Sequence, residues 1–467
     1  MRRCVKTLHG HISHTRSADQ LNSRVSPQHR HISNTYSIIT TDYAYETFSP
    51  SVRIGKGATR EVGMDFVNKG VKRVLLFTDK NLIKLLPFKA TADALRADNV
   101  EFDVFSEVRI EPTEKSFREA IHRAQMGQYE GFLAVGGGSV MDTAKVARLF
   151  DAYRDRQLID FIPEPIGLGE HISRPLKPLI CIPTTSSGSE VTGNATFYLS
   201  SENSTCSISS QALCPSLAIV DPINKFQMPK NVAIFTGLGV LCRALEAYTA
   251  LPHDMRSPTP SDPRHRSMDQ GSSPMSDIAV VQTLRLIDRY FLPSVESIDD
   301  TLAKSQMSLA SVIKGAGFSN AGVHICHALS YAISSKVIDY NPDGYPTDYP
   351  LIPHGLSAII TAPAVFSEIG YVSPDRCMYL AQILGANTGN VKRLEAGRCL
   401  AGRLCYYMKR LGIPNGLSGL GFTEDDIPEI IEETQKIIRL TCLSPIPVCD
   451  TLLEGILHKS LRIYDSF

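Results

Sequence analysis

The chain predicts an α/β fold, a doubly wound parallel sheet, followed by an all-helical second half. Three observations carry this. Short apolar runs alternate with helical periods through residues 71–183, the pattern of strand–helix–strand crossovers. One of those runs, 131–135, passes straight into Gly136-Gly137-Gly138-Ser139 and a new helical period, which places a glycine-rich turn at the carboxyl end of a strand. From about Asn231 onward only long helical periods remain. At 467 residues the chain exceeds what one core holds, so two domains are expected, 37–222 and 223–467, meeting near Asp221-Pro222.

Taken in order, residues 71–79 (VKRVLLFTD) are an apolar run ending in Thr-Asp, expected as a buried parallel strand. Residues 88–98 have helical spacing, 101–105 read as a second strand and 117–126 as a helix. Residues 131–135 make the third strand, 140–150 the helix behind the glycine turn, and 178–183 (PLICIP) a further strand. The second half offers helices over 232–250, 277–290, 303–314, 374–384 and 394–411. Residues 251–274, rich in Pro and Ser, are expected as a long surface excursion without regular structure. Cys242, Cys326 and Cys399 lie in apolar helical stretches and are expected in the core.

Charge and composition narrow the function. Lys+Arg and Asp+Glu both number 48, and a formally neutral chain argues against a nucleic-acid scaffold or a polybasic membrane binder. No uninterrupted apolar run approaches the roughly 18 residues of a membrane span. Eleven cysteines without a C-x-x-C pair read as reduced thiols in an intracellular compartment. Residues 1–36 carry Arg2, Arg3, Lys6, Arg16, Arg24 and Arg30 against the single acid Asp19. Such an Arg- and Ser-rich, acid-poor leader is expected as a mitochondrial transit peptide, hence a matrix location, with a plain disordered tail as the alternative.

Two loops and three histidines carry the chemistry. Gly136–Ser139 is not the G-x-G-x-x-G fingerprint, yet consecutive glycines let backbone N–H groups approach phosphate oxygens beside a helix N-terminus. Asp142 and Lys145 are expected on the first turn of that helix. A tight turn without a ligand is the competing reading. Pro183-Thr184-Thr185-Ser186-Ser187-Gly188-Ser189-Glu190 follows another strand and suits a nicotinamide ribose, although Ser/Thr-rich loops are often plain surface. Further on, His324 and His327 stand three apart and His354 lies on a Pro-His-Gly step, so three imidazoles converge from two helix starts, as in divalent-metal pockets.

These segments together resemble the iron-containing (group III) alcohol dehydrogenase family. The similarity runs from TTDYAYE (residues 40–46) through EVGMD, FTDKNL, VRIEPT, AVGGGSVMDTAK and PLKPLICIPTT to GFSNAGVHICHALSYAI, IPHGLSAIITAPAVF and AQILGA. The RSPTPSDP excursion and GFSNAGVH mark the branch that exchanges a hydride between hydroxyacids and oxoacids. The resemblance implies a dehydroquinate synthase-like architecture, with an α/β dinucleotide-binding domain, a helical metal and substrate domain, and the active site between them. It also implies bound NAD(H), Fe²⁺ or Zn²⁺, a homo-oligomer, and transfer of a hydride from 4-hydroxybutyrate to 2-oxoglutarate. Asp79, Gly137, Gly138, Ser139, Thr184, Thr185 and Asn194 match the dinucleotide positions, His324 and His354 the metal positions, and His327 beside them the catalytic one.

The departures are as informative. The family holds its metal with an Asp and a His four apart on one helix face, plus two further His. Here that helix reads TGLGVLCRALEAYT, with Gly239 and Arg243 at those positions. The Thr-Thr loop is one residue shorter than the family's TTSGTGSE, and a lysine expected after it is Thr205. At 4 Å and an effective dielectric near 20, a divalent ion facing Arg243 meets a repulsion of about 8 kcal/mol. Three readings stay open: an active enzyme with ligands from His324, His327 and His354; a metal-free enzyme in which Arg243 polarises the carbonyl; and a catalytically degenerate paralogue that binds nucleotide or a partner.

Overall fold

The computed structural model describes residues 42–256, 260 and 262–467; the expected transit peptide lies outside them. In chain order the strands are β1 (Ser51–Ile54), β2 (Arg73–Phe77), β3 (Glu101–Phe105), β4 (Gly131–Gly136), β5 (Leu179–Pro183), β6 (Asn194–Leu199), β7 (Ser204–Ser209) and β8 (Leu217–Val220). Six of them form one sheet in the order β1-β8-β5-β4-β2-β3, with every neighbouring pair parallel. β6 and β7 form a separate antiparallel hairpin. Helices α1 (Val62–Asn68), α2 (Leu86–Ala97), α3 (Glu114–Met126) and α4 (Gly138–Ala152) belong to this half.

The inner strands β2, β4, β5 and β8 are mainly apolar runs because both sheet faces are covered there. Val74, Leu76, Leu133, Val135, Ile180 and Ile182 pack on one side, while Leu75, Phe77, Phe132, Ala134, Leu179 and Cys181 pack on the other. Successive side chains alternate between the two cores, as the pleat requires. Since β2 has β3 on one side and β4 on the other, the winding direction reverses between β2 and β4. That reversal opens a crevice at their carboxyl ends, where Asp79 and the glycine turn lie.

The helical half, single turns aside, comprises α5 (Lys230–Thr249), α6 (Pro274–Glu296), α7 (Thr301–Phe318), α8 (Ile325–Ser335), α9 (His354–Ile359), α10 (Ala362–Val372), α11 (Pro374–Ile383), α12 (Ala396–Arg410), α13 (Ile427–Gln435) and α14 (Asp450–Leu461). One large core joins them, from Leu238 and Leu245 on α5 through Ile287 and Phe291 to Phe366 and Leu404. α5 is the one helix among the described residues long and apolar enough to cross a membrane, but 67% of that stretch is buried inside the protein, which makes it a core helix.

The expected strands and helices form within a few residues of their expected ends. Among the pieces that escaped the sequence pattern are β1, β8 and the β6–β7 hairpin, because runs of four to six residues leave little periodicity to count. One expectation is corrected. The stretch 251–274 is not all surface, because Met268, Asp269, Gln270, Ser272 and Ser273 are buried. Gln270 bonds the Glu46 backbone in both directions, and Ser272 Oγ donates to the Ala250 carbonyl, so polar side chains are satisfied inside.

Candidate active site

One cavity of about 380 Å³ runs from the sheet's carboxyl edge to the helical half. At its outer end lies Asp79, just beyond β2. Its Oδ1 accepts the backbone N–H groups of Asn81 (2.8 Å) and Leu82 (3.0 Å), while burial raises its pKa. Gly137 caps α4, so the first N–H groups of that helix face the cavity without intrahelical partners. A Cβ on Gly137 would lie 3.2 Å from Thr185 Cγ2, a tight contact, and one on Gly138 would lie 3.5 Å from Ser187, an ordinary one, so side chains here would fill the space between the two loops. Thr185 Oγ1 is buried without a hydrogen-bond partner and Thr185 lines the cavity. A phosphate-and-ribose ligand fits that donor set.

Behind the turn, Asp142 and Lys145 stand on the second turn of α4 and serve the architecture. Lys145 is fully buried and donates to Ser189 O, Ser189 Oγ and Asn194 O. Asp142 accepts from Ser189 Oγ at 2.6 Å and from the Thr196 N–H at 3.1 Å. The Thr-Thr loop is thereby tied to α4. Ser139 Oγ accepts the Glu111 N–H at 3.2 Å, and Glu111 in turn accepts the His354 N–H at 3.2 Å. Glu111, whose φ is 51°, thus links the glycine turn to the helical half. Burial pushes its carboxyl up to about 7.

The inner end is built by α5, α8 and α9. The Pro353-His354-Gly355 step starts α9 against α5, because a Cβ on Gly355 would overlap the Phe235 carbonyl oxygen. His354 and His327 face one another with ring centroids 5.2 Å apart, and both line the cavity. Glu246 sits beneath the N-terminus of α8, where Oε1 accepts the N–H groups of His324 (3.1 Å), Cys326 (2.7 Å) and His327 (3.3 Å). Its Oε2 meets His327 Nδ1. On this network Nδ1 of His327 carries the proton and Nε2 keeps its lone pair. Burial, then the charges of Arg243 and Lys314, hold His327 well below the usual imidazole range, and burial does the same to His354.

His324, expected at the metal, lies apart from the cavity. It caps α8 with its own ring, as Nδ1 accepts the Ile325 N–H at 2.9 Å and Nε2 lies 3.0 Å from Thr249 Oγ1. Both nitrogens are engaged in a fully buried site, and His324 does not line the cavity. The pair brought to the cavity is therefore His327 and His354. The other expected residues, Asp79, Gly137, Gly138, Ser139, Thr184, Thr185 and Asn194, all line it, as do Thr205, Gly239 and Arg243.

A divalent metal does not fit this inner end. Two imidazoles are present, Gly239 brings no donor, and Arg243 and Lys314 bring two cations to the same cavity. Lys314 donates to the Ser187 carbonyl, and burial, then Arg243, bring it down to about 7. Another group of metal-type atoms, Cys242, Glu246 and Cys326, lies within 4.8 Å, but it is fully buried. Burial keeps both thiols protonated, and Glu246 is occupied by three backbone donors, so that group packs as core.

Glu246 and Lys314 escaped the sequence reading. Glu246 had a signal, since Gly239, Arg243 and Glu246 are spaced four and three apart and share a face of an otherwise apolar helix. Lys314 had none, because nothing local tells a lysine on α7 that it will reach a loop between β5 and β6.

Known proteins share the family and the fold. The model for iron-containing alcohol dehydrogenase matches residues 49–222, and that for the family's C-terminal part matches 267–458. The chain is 44% identical over 426 residues to the mitochondrial hydroxyacid-oxoacid transhydrogenase of Bos taurus, covering 91% of each chain. It is 43% identical over 427 residues to that of Caenorhabditis elegans, covering 91% of this chain and 92% of the other. A 1,3-propanediol oxidoreductase structure superposes with a TM-score of 0.76 at 24% identity, over 89% of this chain and 100% of that one. An archaeal Red Sea brine pool alcohol dehydrogenase gives 0.77 at 23%, over 90% and 100%. The chain belongs to the iron-containing alcohol dehydrogenase family, within its hydroxyacid-oxoacid transhydrogenase lineage.

Proposed function

We propose that the protein exchanges a hydride between a small hydroxyacid and an oxoacid, converting 4-hydroxybutyrate and 2-oxoglutarate into succinate semialdehyde and 2-hydroxyglutarate. The observation that carries this is the single cavity joining Asp79 and the glycine turn to His327 and His354. The names of the 42–44% identical relatives support the substrate class. Asp79, Gly137, Gly138, Ser139, Thr184, Thr185 and Asn194 would hold NAD(H), which when bound stores the hydride between the two half-reactions. His327 is assigned the proton. Glu246 fixes its Nδ1–H, so that Nε2 takes the hydroxyl proton as the carbonyl forms and returns it in the reverse half-reaction. No step is assigned to a metal.

The test is an assay of purified protein with 4-hydroxybutyrate and 2-oxoglutarate. Turnover lost by at least about a hundredfold in His327→Asn supports the reading. No turnover with intact NADH binding would favour the second reading, a nucleotide-binding paralogue without catalysis, which Arg243 on the cavity wall makes specific. The relatives' mitochondrial names and the basic leader support a matrix location. Sequencing the mature terminus should find it after about Arg30, and an intact Met1 on cytosolic protein would refute this.

A further inference from the structure

We infer that Arg243 and Lys314 form a metal-independent anion site at the inner end of the cavity, built to take a carboxylate of a small oxo- or hydroxyacid. Arg243 lines the cavity from α5, and no hydrogen bond or ion pair engages its guanidinium among the described residues. Lys314 lines it from α7 and is tied to a backbone carbonyl, with no carboxylate in ion-pair contact among the described residues. Arg243, Lys314 and His327 line the same cavity, and both charges bear on the imidazole. Glu190 and Asp142 act on Lys314 only from beyond ion-pair distance, and Arg243 has no carboxylate partner among the described residues, so an incoming anion would pair the guanidinium, whose planar fork matches a carboxylate in two parallel hydrogen bonds.

The structure also shows why this charge can be held here. Gly188 has φ +76°, and a Cβ there would meet Lys314 Nζ at 2.8 Å, so the loop bends around the lysine head. The nucleotide phosphates are provided for at the other end, by the glycine turn and the α4 N-terminus. A cation pair beside the imidazoles is thus free for substrate. Selectivity follows, because an uncharged alcohol leaves both cations unpaired while an acid pairs them. Where its relatives' family is named for iron, this chain would hold its substrate by charge.

The choice of a carboxylate rests on the proposed function; the site itself does not. The test is calorimetric titration of succinate into the full chain dialysed against EDTA. Saturable binding should persist without metal, weaken at least about tenfold in Arg243→Met and in Lys314→Met, and weaken by less in Arg243→Lys, which keeps the charge but loses the fork. The Arg243→Lys arm guards against a variant that merely misfolds, and melting curves monitor all three. Binding that requires added Zn²⁺, or that survives Arg243→Met unchanged, overturns the inference. So does inorganic phosphate binding as tightly as succinate. Metal-free, Arg243-dependent binding in a protein without hydride exchange upholds the site and sinks the activity. Hydride exchange at full rate in Arg243→Met does the reverse.

Discussion

Glu246 decides what His327 can do. A buried carboxylate is costly unless its lone pairs are filled, and here three backbone N–H groups and an imidazole fill them. Burial raises the Glu246 pKa, yet the donors that lower it are all fixed by the start of α8. Glu246→Gln keeps the volume but puts an NH₂ where an acceptor is needed. The variant should lose about 1–3 kcal/mol of stability, read from chemical denaturation. Its turnover should fall at least about tenfold, because His327 loses the partner that fixes its tautomer. Unchanged stability and turnover would show that the ring is held by something else.

At the scale of elements, α5 carries the feature that sets this chain apart. Gly239 and Arg243 lie one turn apart on the face that looks into the cavity. A Cβ on Gly239 meets only Gly355 Cα, at 3.4 Å, so an aspartate can be placed there without moving α9. Replacing Gly in a helix interior also favours the helix by up to about 1 kcal/mol. The double variant Gly239→Asp, Arg243→His should therefore build a site with His327 and His354 and bind one Fe²⁺ or Zn²⁺ per chain by plasma emission analysis. Arg243→His alone should bind less, lacking the carboxylate that offsets the ion's charge. Stoichiometric metal in the unmutated protein would contradict this account of α5. The element-level reading from sequence was sound here, since the spacing of four within TGLGVLCRALEAYT already set both positions on one face. The sequence paired that face with His324, whereas the structure brings His327 to the cavity and uses His324 as a cap, a contact that helical periodicity does not reveal.

For the whole molecule, the clasp between the two halves should respond to pH. Glu111 bonds the His354 N–H, Tyr349 OH donates to Ile110 O at 3.0 Å, and Arg109 stacks 3.5 Å over the Tyr349 ring. The Glu111 pKa is raised from 4.5 to about 7, so folding favours its protonated form. Its stabilising contribution is complete below about 4.5 and is lost as pH rises through about 7. Lys314, depressed to about 7, runs the opposite way and loses stability as pH falls through that value. The difference between Glu111→Gln and the unmutated chain cancels the lysine. It should grow in favour of the variant between about pH 4.5 and 7, by up to about 3 kcal/mol. A difference flat with pH would mean that Glu111 is not protonated in the folded state.

The sequence by itself determined the parallel sheet, the helical half and the glycine-rich turn at the end of β4. Each rests on local pattern: apolar runs for strands buried on both faces, period for helices, and consecutive glycines where backbone must approach a ligand. It also exposed the loss at Gly239 and Arg243, since those lie on one helix. Tertiary structure alone decided which imidazoles reach the cavity. His324, His327 and His354 look alike in a string of letters, but the first is used up as a cap and by Thr249. Tertiary structure also brought Lys314 to Arg243 and Glu246 under α8. Those contacts join distant segments through packing, and no local periodicity encodes which buried charge will meet which.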